Sequence, residues 1–174
     1  MFSEAMAFVE QWEGGWSDDA ADPGGLTKWG ITIRTVIALA LDFNRDGRVD
    51  EADLRDMTRD QARNVYRREY WDKVRAGELP GPVALLVFDA AVNQGVSRAG
   101  RFLQLAAGVA SDGKIGPATL AAVRAKYAAA PRVLLREIAV RRALHYSSLA
   151  HFVRFGPGWY RRLFDAAMSA EAAR

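Results

Sequence analysis

Phe2-Ser3-Glu4-Ala5-Met6-Ala7-Phe8-Val9-Glu10-Gln11-Trp12-Glu13-Gly14-Gly15 opens the chain as an apolar-striped segment halted by two glycines. Phe2, Ala5, Met6, Val9 and Trp12 recur at helical spacing, which predicts an amphipathic helix over 3–13. With successive residues 100° apart, these five fill an arc of about 120° to 240°. Glu13 falls inside the arc at about 220°, whereas Glu4 and Glu10 fall outside it. A carboxyl group turned to an apolar side loses hydration, which disfavours its charged form. The partial negative charge at a helix C-terminus pushes the same way. Such a group can keep its proton near neutral pH and act as a general acid. The same geometry also allows a plain helix-end residue turned to solvent. Gly14 and Gly15 end the helix in the usual manner of glycine, and they leave room for a ligand to approach the backbone.

Working outward, residues 16–32 are rich in polar and glycine turns, with any β-structure expected near Thr27 to Thr32. A short helix is expected at about 33–41. Thr58-Arg59-Asp60-Gln61 has capping-box spacing and starts a helix that should reach Lys73. Gly77 to Pro82 is a break and the best subdomain boundary. Beyond it the chain reads as helices over 82–95, 97–107, 117–129 and 131–152. Gly156-Pro157-Gly158 should then break the chain before a last helix at 159–170. The expectation is a mainly α chain with at most a small β-element near residues 16–32. Residues 1–80 and 81–174 form its two parts, packed into one compact domain. No repeat of 20–50 residues is present.

The chain has 174 residues, no cysteine and two histidines, His145 and His151. That excludes a disulfide scaffold, a thiol nucleophile and cysteine-ligated metal centres. No His-Glu-x-x-His zinc motif, serine elbow or phosphate loop is present, which argues against protease, esterase and nucleotide-hydrolase chemistry. Residues 1–80 carry 11 basic and 16 acidic side chains, and residues 81–174 carry 13 and 5. Acidic groups fit for chemistry or metal binding thus lie early. The basic half either faces an anionic polymer or is a solvated surface. No apolar stretch is long enough for a membrane span, so membrane insertion is not expected. The start lacks the pattern of a signal peptide, so synthesis in the cytoplasm and release by a holin-like or other non-signal route are expected.

Two elements, Phe8-Val9-Glu10-Gln11-Trp12-Glu13-Gly14-Gly15-Trp16 and Asp22-Pro23-Gly24-Gly25-Leu26-Thr27-Lys28-Trp29-Gly30-Ile31-Thr32, resemble the pattern of glycoside hydrolase family 108. That pattern is Glu-Gly-Gly followed closely by Asp-Pro-Gly-Gly-x-Thr-x-x-Gly-Ile-Thr. The second half continues the likeness: Phe88-Asp89-Ala90-Ala91-Val92-Asn93-Gln94-Gly95, Asp112-Gly113-Lys114-Ile115-Gly116-Pro117 and Gly158-Trp159 resemble the predicted peptidoglycan-binding region of the family. The resemblance implies a lysozyme-like fold and a muramidase that cleaves the β-1,4 bond between N-acetylmuramic acid and N-acetylglucosamine. It also implies that Glu13 is the catalytic acid. A second carboxylate would act as nucleophile or as base for water; Asp18, Asp19 and Asp22 are nearby, and Asp22 before Pro-Gly is equally a turn residue. Thr27 or Thr32 would otherwise orient a water. Trp16 and Trp29 either stack on sugars or belong to the core. Tyr66, with Tyr70 on the same helical face, is open to the same two readings. Asn93 and Gln94 either reach N-acetyl groups or cap their helix. The cleft is expected between the N-terminal helix with its loop and the C-terminal helices.

Asp42-Phe43-Asn44-Arg45-Asp46-Gly47-Arg48-Val49-Asp50-Glu51-Ala52-Asp53 matches the twelve-residue layout of an EF-hand calcium loop. Asp42, Asn44, Asp46, Asp50 and Asp53 stand at positions 1, 3, 5, 9 and 12, Gly47 at 6, and the Arg48 backbone carbonyl at 7. The departure is Asp53 where glutamate is usual, as in the dockerin loops it resembles. The expectation is a structural calcium ion on an insertion to the family pattern, against an Asx-rich acidic turn. No cofactor is needed for the chemistry. Two rival functions are kept: a lytic transglycosylase, and a non-catalytic, calcium-stabilised peptidoglycan-binding protein. A monomer acting on peptidoglycan glycan strands, without nucleic acid, is expected.

Overall fold

The computed structural model describes residues 1–17 and 25–173, with Trp16 and Ser17 as backbone only. The chain is mainly α, as its periodicity predicts. Its helices are α1 (Phe2–Trp12), α2 (Ile33–Ala38), α3 (Glu51–Asp56), α4 (Arg59–Tyr66), α5 (Gly81–Gln94), α6 (Val96–Ala107), α7 (Pro117–Ala129), α8 (Pro131–Ser147) and α9 (Phe152–Ala172). Three two-residue strands, β1 (Trp16–Ser17), β2 (Thr27–Lys28) and β3 (Ile31–Thr32), make one antiparallel sheet. None of the described helices is long and apolar enough to cross a membrane. The fold divides into two compact units, one of Met6–Tyr66 and one of Met1–Ala5 with Arg67–Arg174.

In the unit of Met6–Tyr66, the sheet register pairs Lys28 with Ile31, which leaves Trp29-Gly30 as a two-residue turn. Both residues have positive φ, +53° at Trp29 and +74° at Gly30, as a type I′ hairpin turn requires. Thr32 ends the hairpin and caps α2, its hydroxyl accepting from the Thr35 N–H at 3.1 Å. Lys28 Nζ donates to the Arg55 carbonyl and ties β2 to the end of α3. The core of this unit is Met6, Val9, Ile31, Val36, Leu54, Met57, Ala62, Val65 and Tyr66.

Local chemistry explains the helix starts. Thr58 N–H donates to Gln61 Oε1 at 2.7 Å and Gln61 N–H to Thr58 Oγ1 at 3.2 Å, so the expected capping box forms. A second box, between Asp50 and Asp53, starts α3, an element the sequence reading left inside the acidic loop. The helix expected to run from Thr58 to Lys73 instead stays α-helical only to Tyr66 and widens into a π turn over Arg67–Trp71. Gly14 and Gly15 do not end α1 in the left-handed conformation expected of a glycine stop. Neither has positive φ, and the Glu13 N–H still reaches the Val9 carbonyl at 3.1 Å.

The second unit holds α5 to α9 around Val83, Leu86, Val87, Phe88, Leu103, Leu134 and Ile138. Phe2, Trp71 and Phe88 meet edge to face with centroids 5.4 to 6.0 Å apart. A charged cluster lies within this apolar interior. Asp89 and Arg142 are fully buried and Arg162 nearly so. The Asp89 carboxylate accepts from Arg142 Nη2 at 2.6 Å and from Arg162 Nε at 2.8 Å. The predicted break at Gly156-Pro157-Gly158 does not occur. α8 stops early at Ser147, and α9 runs straight through Pro157. Aromatic pairs bridge the proline, Phe152 with Tyr160 at 5.3 Å and Phe155 with Trp159 at 6.0 Å. Gly156 is needed there, because a Cβ would stand 2.6 Å from the Phe152 ring. Side-chain packing thus overrides the local breaker signal.

Candidate active site

Glu13 stands one residue past the end of α1 and is half-buried. It lines a small recess with Met6, Glu10, Trp29, Arg59, Ala62 and Tyr66, all from the unit of Met6–Tyr66. The recess has a cavity volume of about 70 Å³. α1 supplies Met6 and Glu10, the residue after it is Glu13, α4 supplies Arg59, Ala62 and Tyr66, and the hairpin tip supplies Trp29.

The hairpin presses directly on Glu13. A Cβ on Gly30 would lie 2.2 Å from Tyr66 Oη, 2.6 Å from Glu13 Oε2 and 2.9 Å from Glu13 Cβ. The glutamate carboxyl and the tyrosine hydroxyl therefore crowd around the one backbone position that lacks a side chain. Tyr66, 1% exposed, donates its hydroxyl proton to the Trp29 carbonyl at 3.1 Å. The Trp29 ring itself is 37% exposed beside the recess. Aromatic faces of this kind stack on sugars. By contrast, among the described residues a Cβ on Gly14 or Gly15 would meet nothing within 4 Å.

Glu10 forms the other wall. Its carboxylate takes a two-point hydrogen bond from Arg59, at 3.1 Å from Nε and 2.9 Å from Nη2, and an ion pair with Arg63 Nε at 3.1 Å. The hydrogen bonds that Arg59 donates to Glu10, then the charge of Glu10, raise the pKa of the Arg59 guanidinium above its usual value. The helical wheel put Glu10 outside the apolar arc, and the arginines on α4 were not foreseen. The signal was available: Glu10 and Glu13 are three residues apart and share a helix face. The role of Gly30, quoted within its motif, was likewise not read.

The remaining predicted residues are placed as follows. Asp18, Asp19 and Asp22 lie outside the described residues, as does the Trp16 side chain. Thr32 is engaged as the cap of α2, and Thr27 Oγ1 donates to the Gly25 carbonyl at 3.1 Å. Asn93 and Gln94 belong to the other unit. There Asn93 Oδ1 accepts from the Tyr146 hydroxyl, and buried Gln94 Oε1 accepts from Arg142 Nε at 2.8 Å. Gln94 thus serves the buried charge cluster.

In the 42–53 loop the predicted ligands fold the loop on itself. Asp42 Oδ2 accepts from the Gly47 N–H at 3.0 Å, and Gly47 has the positive φ, +83°, expected at the sharp turn. Asn44 accepts from the Asp46 N–H, Asp46 from the Arg48 N–H, and Asp50 from the Ala52 N–H, at 2.8 to 2.9 Å. Asp53 is fully buried and accepts from the N–H groups of Asp50, Phe43 and Asn44. The bond from Asp50 is the largest cause holding its carboxyl below the usual range. Asp42 Oδ1 is buried with no hydrogen-bond partner. Among the described residues, no three or more histidine and carboxylate side chains are gathered as a metal site.

Two family models match the chain: Glycosyl hydrolase 108 over residues 6–95, and Predicted Peptidoglycan domain over residues 98–164. Among solved structures, that of Brucella abortus SagA is similar, with a TM-score of 0.85 and 37% sequence identity over 98% of this chain and 94% of that one. No curated protein matches the chain.

Proposed function

Because the chain belongs to the glycosyl hydrolase 108 family, we propose that it is a muramidase that hydrolyses the β-1,4 bond between N-acetylmuramic acid and N-acetylglucosamine, with Glu13 as general acid. The two family matches support a peptidoglycan-degrading enzyme whose partner is the wall polymer. The observation that carries the assignment of the acid is the position of Glu13, half-buried in a recess beside an exposed tryptophan, with no described residue within 4 Å of a Cβ on Gly14 or Gly15.

In this reading a glycan strand lies along the open side of Gly14-Gly15 and stacks a sugar on Trp29. Glu13 gives its proton to the glycosidic oxygen as the bond to the anomeric carbon breaks. Water then completes the hydrolysis. Glu10 is tied to Arg59 and Arg63, so it is not free to serve as nucleophile or base. Asp22 is the candidate for that part. We further propose that the 42–53 loop holds a structural calcium ion. The support is its EF-hand layout and turn, and the buried, unpartnered Asp42 Oδ1. Asp42, Asn44, Asp46, Asp50, Asp53 and the Arg48 carbonyl would hold the ion after their side chains turn from the backbone N–H groups.

The test is digestion of purified sacculi by wild type and Glu13→Gln, with the soluble products weighed by mass spectrometry. Reducing-end muropeptides from wild type, falling at least a hundredfold in Glu13→Gln, are expected for a general acid. Anhydro-sugar products identify a transglycosylase instead. Binding to sacculi without any product overturns the enzyme reading and leaves a binding protein.

A further inference from the structure

We propose that Tyr66 is the positioning residue of Glu13, fixing one edge of its carboxyl and receiving it as an anion once the proton has left. The inference rests on Glu13 being the general acid. Its basis is the crowding at Gly30, where Tyr66 Oη and Glu13 Oε2 lie 2.2 and 2.6 Å from the same empty Cβ position. Nothing in the motif-bearing sequence marks Tyr66 for this, since it is more than fifty residues from Glu13 and lies at the last position of α4.

Three features make the hydroxyl suitable. First, the ring is buried, so Oη has little freedom to drift. Second, its single proton is held by the Trp29 carbonyl at 3.1 Å, within the hairpin that crowds Glu13. Third, a phenol both donates and accepts. While Glu13 carries its proton on the oxygen turned to the substrate, the Tyr66 proton rests on the Trp29 carbonyl. When Glu13 transfers its proton to the glycosidic oxygen, negative charge appears on the carboxylate. A rotation about the C–O bond of Tyr66 then carries the O–H from the carbonyl to Oε2. No covalent bond to Tyr66 forms or breaks, and the proton count is unchanged. The hydroxyl oxygen is in place beside the carboxyl before the charge develops, and only its proton has to turn.

Tyr66→Phe removes only Oη and keeps the ring in the core. In the folded variant kcat on sacculi should fall about tenfold or more, the size of a hydrogen bond to a charged group. KM should stay within twofold, because Tyr66 meets Glu13 and not the sugar. In a Glu13→Gln background the same substitution should cause no further loss, since groups acting as one unit are not additive. A merely structural tyrosine would lower activity by the same factor in both backgrounds. Should Tyr66→Phe fail to fold, 3-fluorotyrosine at position 66 carries the test: it keeps the hydroxyl and changes its donor strength, so kcat should change while the melting temperature does not. Wild-type kcat in folded Tyr66→Phe, or equal losses with and without Glu13, overturns the inference. An inactive wild type, or a fully active Glu13→Gln, instead overturns the functional reading beneath it.

Discussion

Replacing Gly30 by alanine should separate the fold of the hairpin from the chemistry beside it. The new methyl would stand 2.2 Å from Tyr66 Oη, 2.6 Å from Glu13 Oε2 and 2.9 Å from Glu13 Cβ, all well inside contact distance. Two costs add. The φ of +74° is left-handed, and an alanine there costs about 1 kcal/mol over glycine. Overpacking by one methyl in a filled site costs about 1–3 kcal/mol. The sum is a destabilisation of about 2–4 kcal/mol. What moves is also decided by the structure. A shift of Glu13 alone cannot relieve the 2.2 Å approach to Oη, so the methyl drives the hairpin tip away from the buried Tyr66 ring and displaces the Glu13 carboxyl with it. A shift of about 1 Å in a catalytic group costs about a hundredfold in rate. Urea unfolding should therefore show a lower midpoint at unchanged slope. Sacculus digestion in the folded range should drop about a hundredfold. Gly15→Ala is the control, because among the described residues its Cβ meets nothing within 4 Å and its φ is not left-handed. It should melt like wild type. A Gly30→Ala variant within about 0.5 kcal/mol of wild type, or one that digests sacculi at the wild-type rate, would refute the crowding on which the site depends.

Three other outcomes follow from the geometry. Asp89→Asn leaves Arg142 and Arg162 buried without their carboxylate, so stability should fall by about 3–5 kcal/mol, read as a melting temperature lower by about 10 °C; a change under about 1 kcal/mol would mean that the cluster is neutralised some other way. Millimolar calcium should raise the melting temperature and a chelator should lower it, with magnesium weaker and the shift absent in Asp46→Ala; indifference to calcium in wild type would dispose of the calcium loop. The Asp112 carboxyl is held below its ordinary value of 3.8, first by the Gln104 side chain and then by the Lys114 N–H. Its contribution is full above that value and lost as pH falls through the folded one. The melting-temperature gap between wild type and Asp112→Asn should accordingly close in acid, and a gap that widens there would contradict the assignment.

The sequence was readable where structure is made locally. The stripe of α1, the capping box at Thr58 and the β-element near Thr27 to Thr32 each depend on neighbours within about four residues, and each forms. Long-range packing was not readable. Nothing near Pro157 announces that aromatic pairs on both sides will hold a helix together through it. Nothing near Asp89 announces the two arginines that reach it from α8 and α9. The candidate site divides along the same line. Glu13 was legible because its wheel angle and its glycines are local. Arg59 and Arg63 were not assigned to it, and Tyr66 was offered for sugar stacking or the core and not as a neighbour of Glu13, because all three meet α1 and the hairpin only once the chain has returned some fifty residues later.

The hairpin tip explains how so small a unit can hold a carboxyl in one place. Trp29 is a bulky residue at φ +53°, a conformation that costs about 1–2 kcal/mol for an L-residue and persists only where the surroundings enforce it. Here the enforcement has three sources: the β2–β3 register, the tether from Lys28 to the end of α3, and the Tyr66 hydrogen bond to the Trp29 carbonyl. The register and the tether hold Lys28 before the turn, and the hydrogen bond holds Trp29 within it. What the strain secures is a carbonyl aimed at Tyr66 and a bare Cα at Gly30, against which Oη and Oε2 both rest. A turn of unstrained residues would carry a side chain into that space or aim the carbonyl elsewhere. The backbone conformation of two residues that touch no substrate by their main chain thus sets the position of the group that does.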